Sequence, residues 1–288
     1  MRAIEPVADG YVERDGVKLH WEEFGAGGPT IALLPTWSIV HSAHWKFQLP
    51  YLARHYRVIT FDGRGCGLSD RPRGAPSYSY LEFAADTVAV LDTTRTERAV
   101  LVGFSCGAVW ALQVAPDKPA RVPGVVAIGP AVPLAPLDEA RNFHAFDQPI
   151  EATEGWAKYN RHYWERDYRG FLDFFFDRMF TEPHSTKAIE DCVGWGLGTD
   201  ATTLADAHHD MDACRLESTR SVCARVQQPV LVIHGDQDAI RPYTAGAALA
   251  QSTGGTLVTV RGGGHAPHCR DPVQVNSLIK RFVDGITR

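Results

Sequence analysis

The stretch VLVGFSCGAVWAL, residues 100–112, decides the fold. Residues 100–102 are an unbroken apolar run, the signature of a buried strand, and Ala108 to Leu112 have the composition of a helix. Between them, Gly103-Phe104-Ser105-Cys106-Gly107 leaves no residues for a loop. A strand that turns directly into a helix forces the turning residue into a strained backbone conformation, and small residues two before and two after it prevent collisions. Ser105 is then presented at the carboxyl end of a sheet, in front of the free N–H groups and positive dipole end of a helix. The same five residues would also serve as a small-residue corner with no chemistry. Cys106 offers a second nucleophile, but as the residue after the serine its backbone N–H faces a developing oxyanion while its thiol turns toward the helix.

Working outward, GYVERDGVKLHWEEFG reads as a hairpin about Asp15-Gly16. TIALLP (30–35), YRVITF and VVAIGPAV read as buried strands, with helices expected over Trp45–Arg54, Tyr80–Leu91 and from Cys106. The alternation predicts a mostly parallel sheet with helices on both faces, an α/β fold. It lapses between 133 and 224. That stretch is polar, helical in pattern and rich in aromatic residues, including Trp156, Tyr159, Tyr163, Trp164 and Phe174–Phe176. Alternation resumes at PVLVIHGD, with a helix near Ala245–Gln251, the strand TLVTV and a closing helix from Pro272. The predicted organisation is a core of residues 1–132 and 225–288 interrupted by a helical cap, 133–224.

Composition narrows the function classes. The 288 residues carry a formal net charge of -5 and 22% charged residues, with no long basic run for nucleic acid or anionic membranes. No apolar run reaches membrane-spanning length, and the N-terminus lacks a signal-peptide core. These features predict a soluble cytoplasmic protein that binds a small molecule, not nucleic acid or membrane. They are silent on oligomeric state. The six cysteines (66, 106, 192, 214, 223 and 269) form no C-x-x-C pair, so reduced thiols are expected. His208-His209-Asp210 could ligate a metal but reads better as a surface helix, and no metal or cofactor is called for.

A serine hydroxyl needs a base, and the base an orienting acid. Both lie downstream: Asp236 and Asp238 in HGDQD, His265 and His268 in GGGHAPH. With GFSCG and DGRGCGLS (62–69), these four motifs in this order resemble the α/β-hydrolase superfamily in its capped branch, over nearly the whole chain. The resemblance implies Ser105, Asp238 and His265 as a catalytic triad. Asp238 ends a G-x-x-D turn, while Asp236 remains a rival that otherwise caps the turn. His268 reads as packing or pocket wall, and His234 as a structural strand-end residue. The resemblance also implies an oxyanion hole from the backbone N–H groups of Trp37 and Cys106. One departure stands out: Pro35-Thr36 replaces the His-Gly usual in the family.

Within the superfamily, the LLPTW strand end and the aromatic insertion are similar to those of macrolide esterases, serine hydrolases that open the lactone ring of antibiotics. That similarity implies a bulky ester or lactone substrate and a role in antibiotic resistance. Trp156, Tyr159, His162 and Tyr163 are the candidate pocket residues. Ser105 argues against epoxide hydrolases and dehalogenases, which use an aspartate at this position. General esterases, carbon–carbon bond hydrolases and perhydrolases share the serine, and a non-catalytic binding protein would share the fold.

Overall fold

The computed structural model describes residues 4–137, 146–209 and 216–287. Eight strands form one sheet: β1 (Ala8–Arg14), β2 (Val17–Phe24), β3 (Thr30–Leu33), β4 (Arg57–Phe61), β5 (Ala99–Phe104), β6 (Val125–Ile128), β7 (Val230–Gly235) and β8 (Thr256–Val260). Their order is β1-β2-β4-β3-β5-β6-β7-β8. The first two strands are antiparallel to their neighbours, and the other six are mutually parallel. Asp15 and Gly16 both have positive φ, 51° and 77°, as a two-residue hairpin turn requires.

The central strands read as continuous apolar runs because both faces are covered. Val100, Val102 and Phe104 of β5 join one core cluster, and Ala99 and Leu101 join the other. The same period-two division holds for Ile31/Ala32, Val126/Ala127 and Ile233/Val232. Helices α2 (Tyr80–Thr93), α3 (Cys106–Asp117), α8 (Leu216–Arg225) and α9 (Tyr243–Thr253) contribute to the second cluster. After β8 come α10 (Pro267–Arg270) and the closing helix α11 (Pro272–Ile286); α11 and the other helices between β6 and β7 pack on the first.

The expected helix at Trp45–Arg54 is a correction. A 3-10 turn at Ser42–Trp45 is followed by a four-residue helix, α1 (Leu49–Leu52). Pro50 is the reason: lacking an N–H and fixed in φ, it opens a helix but cannot sit inside one.

Between β6 and β7 lie α4 (Arg161–Arg166), α5 (Tyr168–Met179), α6 (Thr186–Gly196), α7 (Ala201–His209) and α8, with no strand among the described residues. Helix α5 buries Phe171, Leu172, Phe175, Phe176 and Met179 on one stripe. These rings meet Trp37 of the sheet domain, whose indole lies 5.6 Å from Phe175, 5.9 Å from Trp164 and 6.1 Å from Tyr159. Most of the insertion's aromatic residues are thus its own core and its seat on the sheet. Among the described residues no helix is long and apolar enough to cross a membrane, and Cys66, Cys192 and Cys269 are free thiols.

Candidate active site

Ser105 sits at the junction of β5 and α3 with φ 52° and ψ -114°, a conformation that costs roughly 1–3 kcal/mol and persists only where its surroundings impose it. The flanking glycines are steric necessities. A Cβ on Gly103 would lie 2.3 Å from the carbonyl of Gly107, and one on Gly107 would lie 2.3 Å from the Pro35 carbonyl oxygen. The second contact lays the loop after β3, which carries Trp37, directly on the first turn of α3.

The carboxyl ends of β7 and β8 supply the partners. Ser105 Oγ donates to His265 Nε2 at 3.0 Å, and His265 Nδ1 donates to Asp238 Oδ2 at 2.7 Å. The backbone N–H groups of Ile240 and Arg241 donate to Asp238 Oδ1 at 2.8 and 2.9 Å. Burial by itself would raise the Asp238 carboxyl. The charge of His265 and the hydrogen bonds from His234 and His265 outweigh it and hold the group well below the usual carboxylate range. His265, almost fully buried, is pushed below the ordinary imidazole value by desolvation, against the pull of Asp238. It is therefore neutral at pH 7, as a proton acceptor must be. Asp236 does different work: its Oδ1 accepts the Gly262 N–H at 2.7 Å and ties the two loops. His268 is buried against Phe104 and Trp45 and bonds His44 at 3.2 Å. Desolvation and the nearby His265 lower it to about 3.

Three further groups hold the array, two of them within motifs already quoted, though the contacts they make are not legible there. His234 Nε2 donates to Asp238 Oδ2 at 2.9 Å and lies 3.2 Å from the Arg241 carbonyl oxygen, so the acid is fixed from two sides. The end of α5 reaches the histidine loop: the His265 N–H donates to the Met179 carbonyl at 3.0 Å, and the Gly264 N–H to Glu182 Oε1 at 2.8 Å. Thr181 Oγ1 donates to the Gln237 carbonyl at 3.1 Å. DGRGCGLS acts at a distance. Asp62 accepts the Ser42 and Leu68 N–H groups at 2.9 Å each, and Ser38 Oγ donates to the Arg64 carbonyl at 2.8 Å. These bonds anchor the loop on which Trp37 sits. The Trp37 backbone N–H donates to no acceptor among the described residues. Thr36, at the family's glycine position, is buried with its hydroxyl unpartnered.

A cavity of ≈ 40 Å³ lies beside this array. Among the described residues its wall includes Trp37, Tyr78, Phe83, Cys106, Trp110 and Arg241. Phe83 and Trp110 stack face to face with centroids 4.0 Å apart, giving the cavity a flat aromatic side.

None of the four expected pocket residues is part of that wall. Tyr159 and Trp156 lie in the layer above it, Tyr159 against Trp37 and Trp156 against Tyr159 and Phe174. His162 is exposed and its Nε2 donates to the Asp147 carbonyl. Tyr163 is buried but its hydroxyl donates outward to Asp167. Along α4 both Tyr163 and Trp164 turn into the insertion's own core, while His162 turns to solvent. His208 is likewise not a surface residue: it is 1% exposed, packs on Phe146 and shares a 3.1 Å hydrogen bond with Tyr159. The side chain of His209 and all of Asp210 lie outside the described residues.

The family model for the alpha/beta hydrolase fold matches residues 27–272. The chain belongs to that family. It is 28% identical over 271 residues to the AB hydrolase superfamily protein YisY of Bacillus subtilis, covering 92% of this chain and 95% of that one. It is equally similar, 28% over 272 residues (93% and 91%), to 2-hydroxymuconate semialdehyde hydrolase of a Pseudomonas species. Among solved structures, Est816, described as an N-acyl homoserine lactone degrading enzyme, superposes with a TM-score of 0.77 at 28% identity, over 95% of this chain and all of that one. Family and relatives together place this α/β hydrolase among hydrolytic enzymes.

Proposed function

We propose that this α/β hydrolase cleaves carboxylic esters or lactones with Ser105 as nucleophile. The observation that carries the reading is the hydrogen-bonded series Ser105–His265–Asp238 at 3.0 and 2.7 Å, on a strained elbow at a helix N-terminus. His265 takes the Ser105 proton as Oγ attacks the ester carbonyl. Asp238 holds the imidazole in the tautomer that presents an unprotonated Nε2, and steadies the imidazolium that forms. The oxyanion draws on the backbone N–H groups of Trp37 and Cys106, each such donor being worth roughly 2.7–4 kcal/mol in the transition state. The alcohol leaves with the proton from His265. Water, activated by the same imidazole, then releases the acid from Ser105. For a lactone both products are one hydroxy acid, and the net change is addition of one water.

The wall of the cavity supports a substrate of modest size with an apolar or planar body. The finer reading, a macrolide lactone, has its support in the LLPTW stretch and the aromatic insertion. A volume of ≈ 40 Å³ holds only a few water-sized positions, so a macrolide ring would need the inserted helices to move away from Trp37. The test is mass spectrometry of a panel of small esters, small lactones and macrolides, scored for gain of one water, together with fluorophosphonate labelling. Labelled Ser105 and hydrolysis of small members is the expected result. Labelling elsewhere would overturn the nucleophile assignment, and macrolide cleavage alone would reassign the substrate.

A further inference from the structure

Arg241 is the charged residue in the cavity wall that the proposed hydrolysis does not use. It is 8% exposed, yet its guanidinium makes no hydrogen bond or ion pair among the described residues. The bonds in which Arg241 takes part use its backbone: its N–H donates to Asp238 Oδ1, and its carbonyl faces His234 Nε2. Its guanidinium nitrogens are not among the polar atoms sealed off from accessible space without a partner, and Arg241 lines the cavity together with Trp37 and Cys106. Its charge is close enough to disfavour protonation of His265. Other arginines are treated differently: the buried Arg64 is matched twice to Asp86 at 2.7 Å, and even the half-buried Arg57 is matched twice to Glu23 at 2.8 and 2.7 Å.

A nearly buried cation with no counter-ion is costly to hold. It costs least where a ligand brings the missing charge. We infer that Arg241 is a specificity-determining residue that binds a carboxylate carried by the substrate, so that the favoured substrates are acidic esters or lactones. The planar guanidinium fork donates two parallel hydrogen bonds to the two oxygens of a carboxylate, a geometry that lysine cannot reproduce. Its backbone is locked to Asp238 and His234, so the side chain springs from a fixed point beside the triad. A bound carboxylate would therefore set where the ester carbonyl falls. The flat Phe83–Trp110 side suits the apolar chain between the two groups. The inference rests on the hydrolase reading above for its chemistry, but the anion site is separable from it.

The experiment uses monophenyl esters of linear diacids, from succinic to suberic, each paired with its uncharged terminal-amide twin. At the best chain length the parent enzyme should favour the acid over the amide by about 10- to 100-fold in kcat/KM, the range expected for hydrogen bonds to a charged group. Arg241→Gln should bring that ratio toward one, and Arg241→Lys should retain only part of it. Calorimetry of the matching free diacid with Ser105→Ala should detect binding that the added Arg241→Gln change removes. Equal use of acid and amide by the parent enzyme at every length would overturn the inference without touching the esterase reading. A ratio that survives Arg241→Gln would do the same. Diacid binding that depends on Arg241, with no ester cleaved, would leave the anion site standing and remove the esterase reading. Where Arg241→Gln fails to fold, the parent's ratio and its partial loss in Arg241→Lys carry the same test.

Discussion

Replacing Gly246 by alanine tests how firmly the acid of the site is held. Gly246 lies on α9 where the helix crosses β7, and a Cβ there would stand 2.2 Å from His234 Nδ1 and 3.1 Å from its Cγ. The ring has no room to retreat. His234 is fully buried, its strand runs between β6 and β8, and its Nε2 is held by Asp238 Oδ2 at 2.9 Å. Restoring an ordinary contact requires a displacement of about 1 Å. If α9 moves, the cost is that of an overpacked core, roughly 1–3 kcal/mol. If the ring turns instead, Asp238 loses a charge-assisted hydrogen bond, again about 1.5–3 kcal/mol. Urea unfolding should show the loss as a lower midpoint at constant slope. The pH dependence of kcat/KM separates the two routes. His234 contributes to the lowering of His265, so a turned ring moves the acid limb to higher pH, while a shifted helix leaves it in place. Gly285→Ala in α11 is the control: nothing lies within 4 Å of its Cβ, and alanine should stabilise that helix by roughly 0.5–1 kcal/mol. A Gly246→Ala protein within about 0.5 kcal/mol of the parent would refute the packing argument.

Asp238→Asn should lower kcat by orders of magnitude, while Asp236→Asn should cost mainly loop stability; stopped-flow ester hydrolysis of both variants checks the order, and its reversal would reassign the acid. Cys106→Ala should leave fluorophosphonate labelling on Ser105, because the thiol takes no part in attack; peptide mapping reads the result. His268 titrates near 6.5 when unfolded and at about 3 when folded, so between those values only the unfolded chain takes up its proton. Stability should therefore fall with decreasing pH across that window, by up to about 1.4 kcal/mol per unit, and be unaffected by this group above it. His268→Phe should flatten the dependence in urea titrations between pH 7.5 and 5. Asp238 works the same way lower down: its folded-state value is depressed, so its contribution is full above the unfolded value and lost as pH falls below about 4.

The parts of the molecule that sequence reasoning reached are those written in local pattern. The buried strands announced themselves because a parallel sheet covered on both faces needs every residue of β5 to be apolar. The elbow was visible because its turn tolerates only glycine at 103 and 107. Missed features depend on the third dimension. Nothing in the spacing of Trp156, Tyr159, His162 and Tyr163 says which face of a short helix meets the sheet, and the cavity wall came instead from Tyr78, Phe83 and Trp110. Arg241 could have been noticed, as a basic residue three positions after the predicted acid. What distinguishes it, the lack of a side-chain partner among the described residues, exists only once the chain is folded. The helix expected over Trp45–Arg54 failed for a reason the sequence did contain, since Pro50 restricts where that helix can begin.

The bonds from Met179, Thr181 and Glu182 to the loops of Gln237 and His265 join entry to alignment mechanically. The end of α5 is the far end of a lever whose other arm carries Phe175 over Trp37 and Phe171 against Trp164. A substrate that lifts those rings pulls on the backbone beside the imidazole that must accept its proton. Substrates of different girth should then differ in turnover as well as affinity, with the tension on His265 rather than the fit of the cavity setting the ceiling on rate.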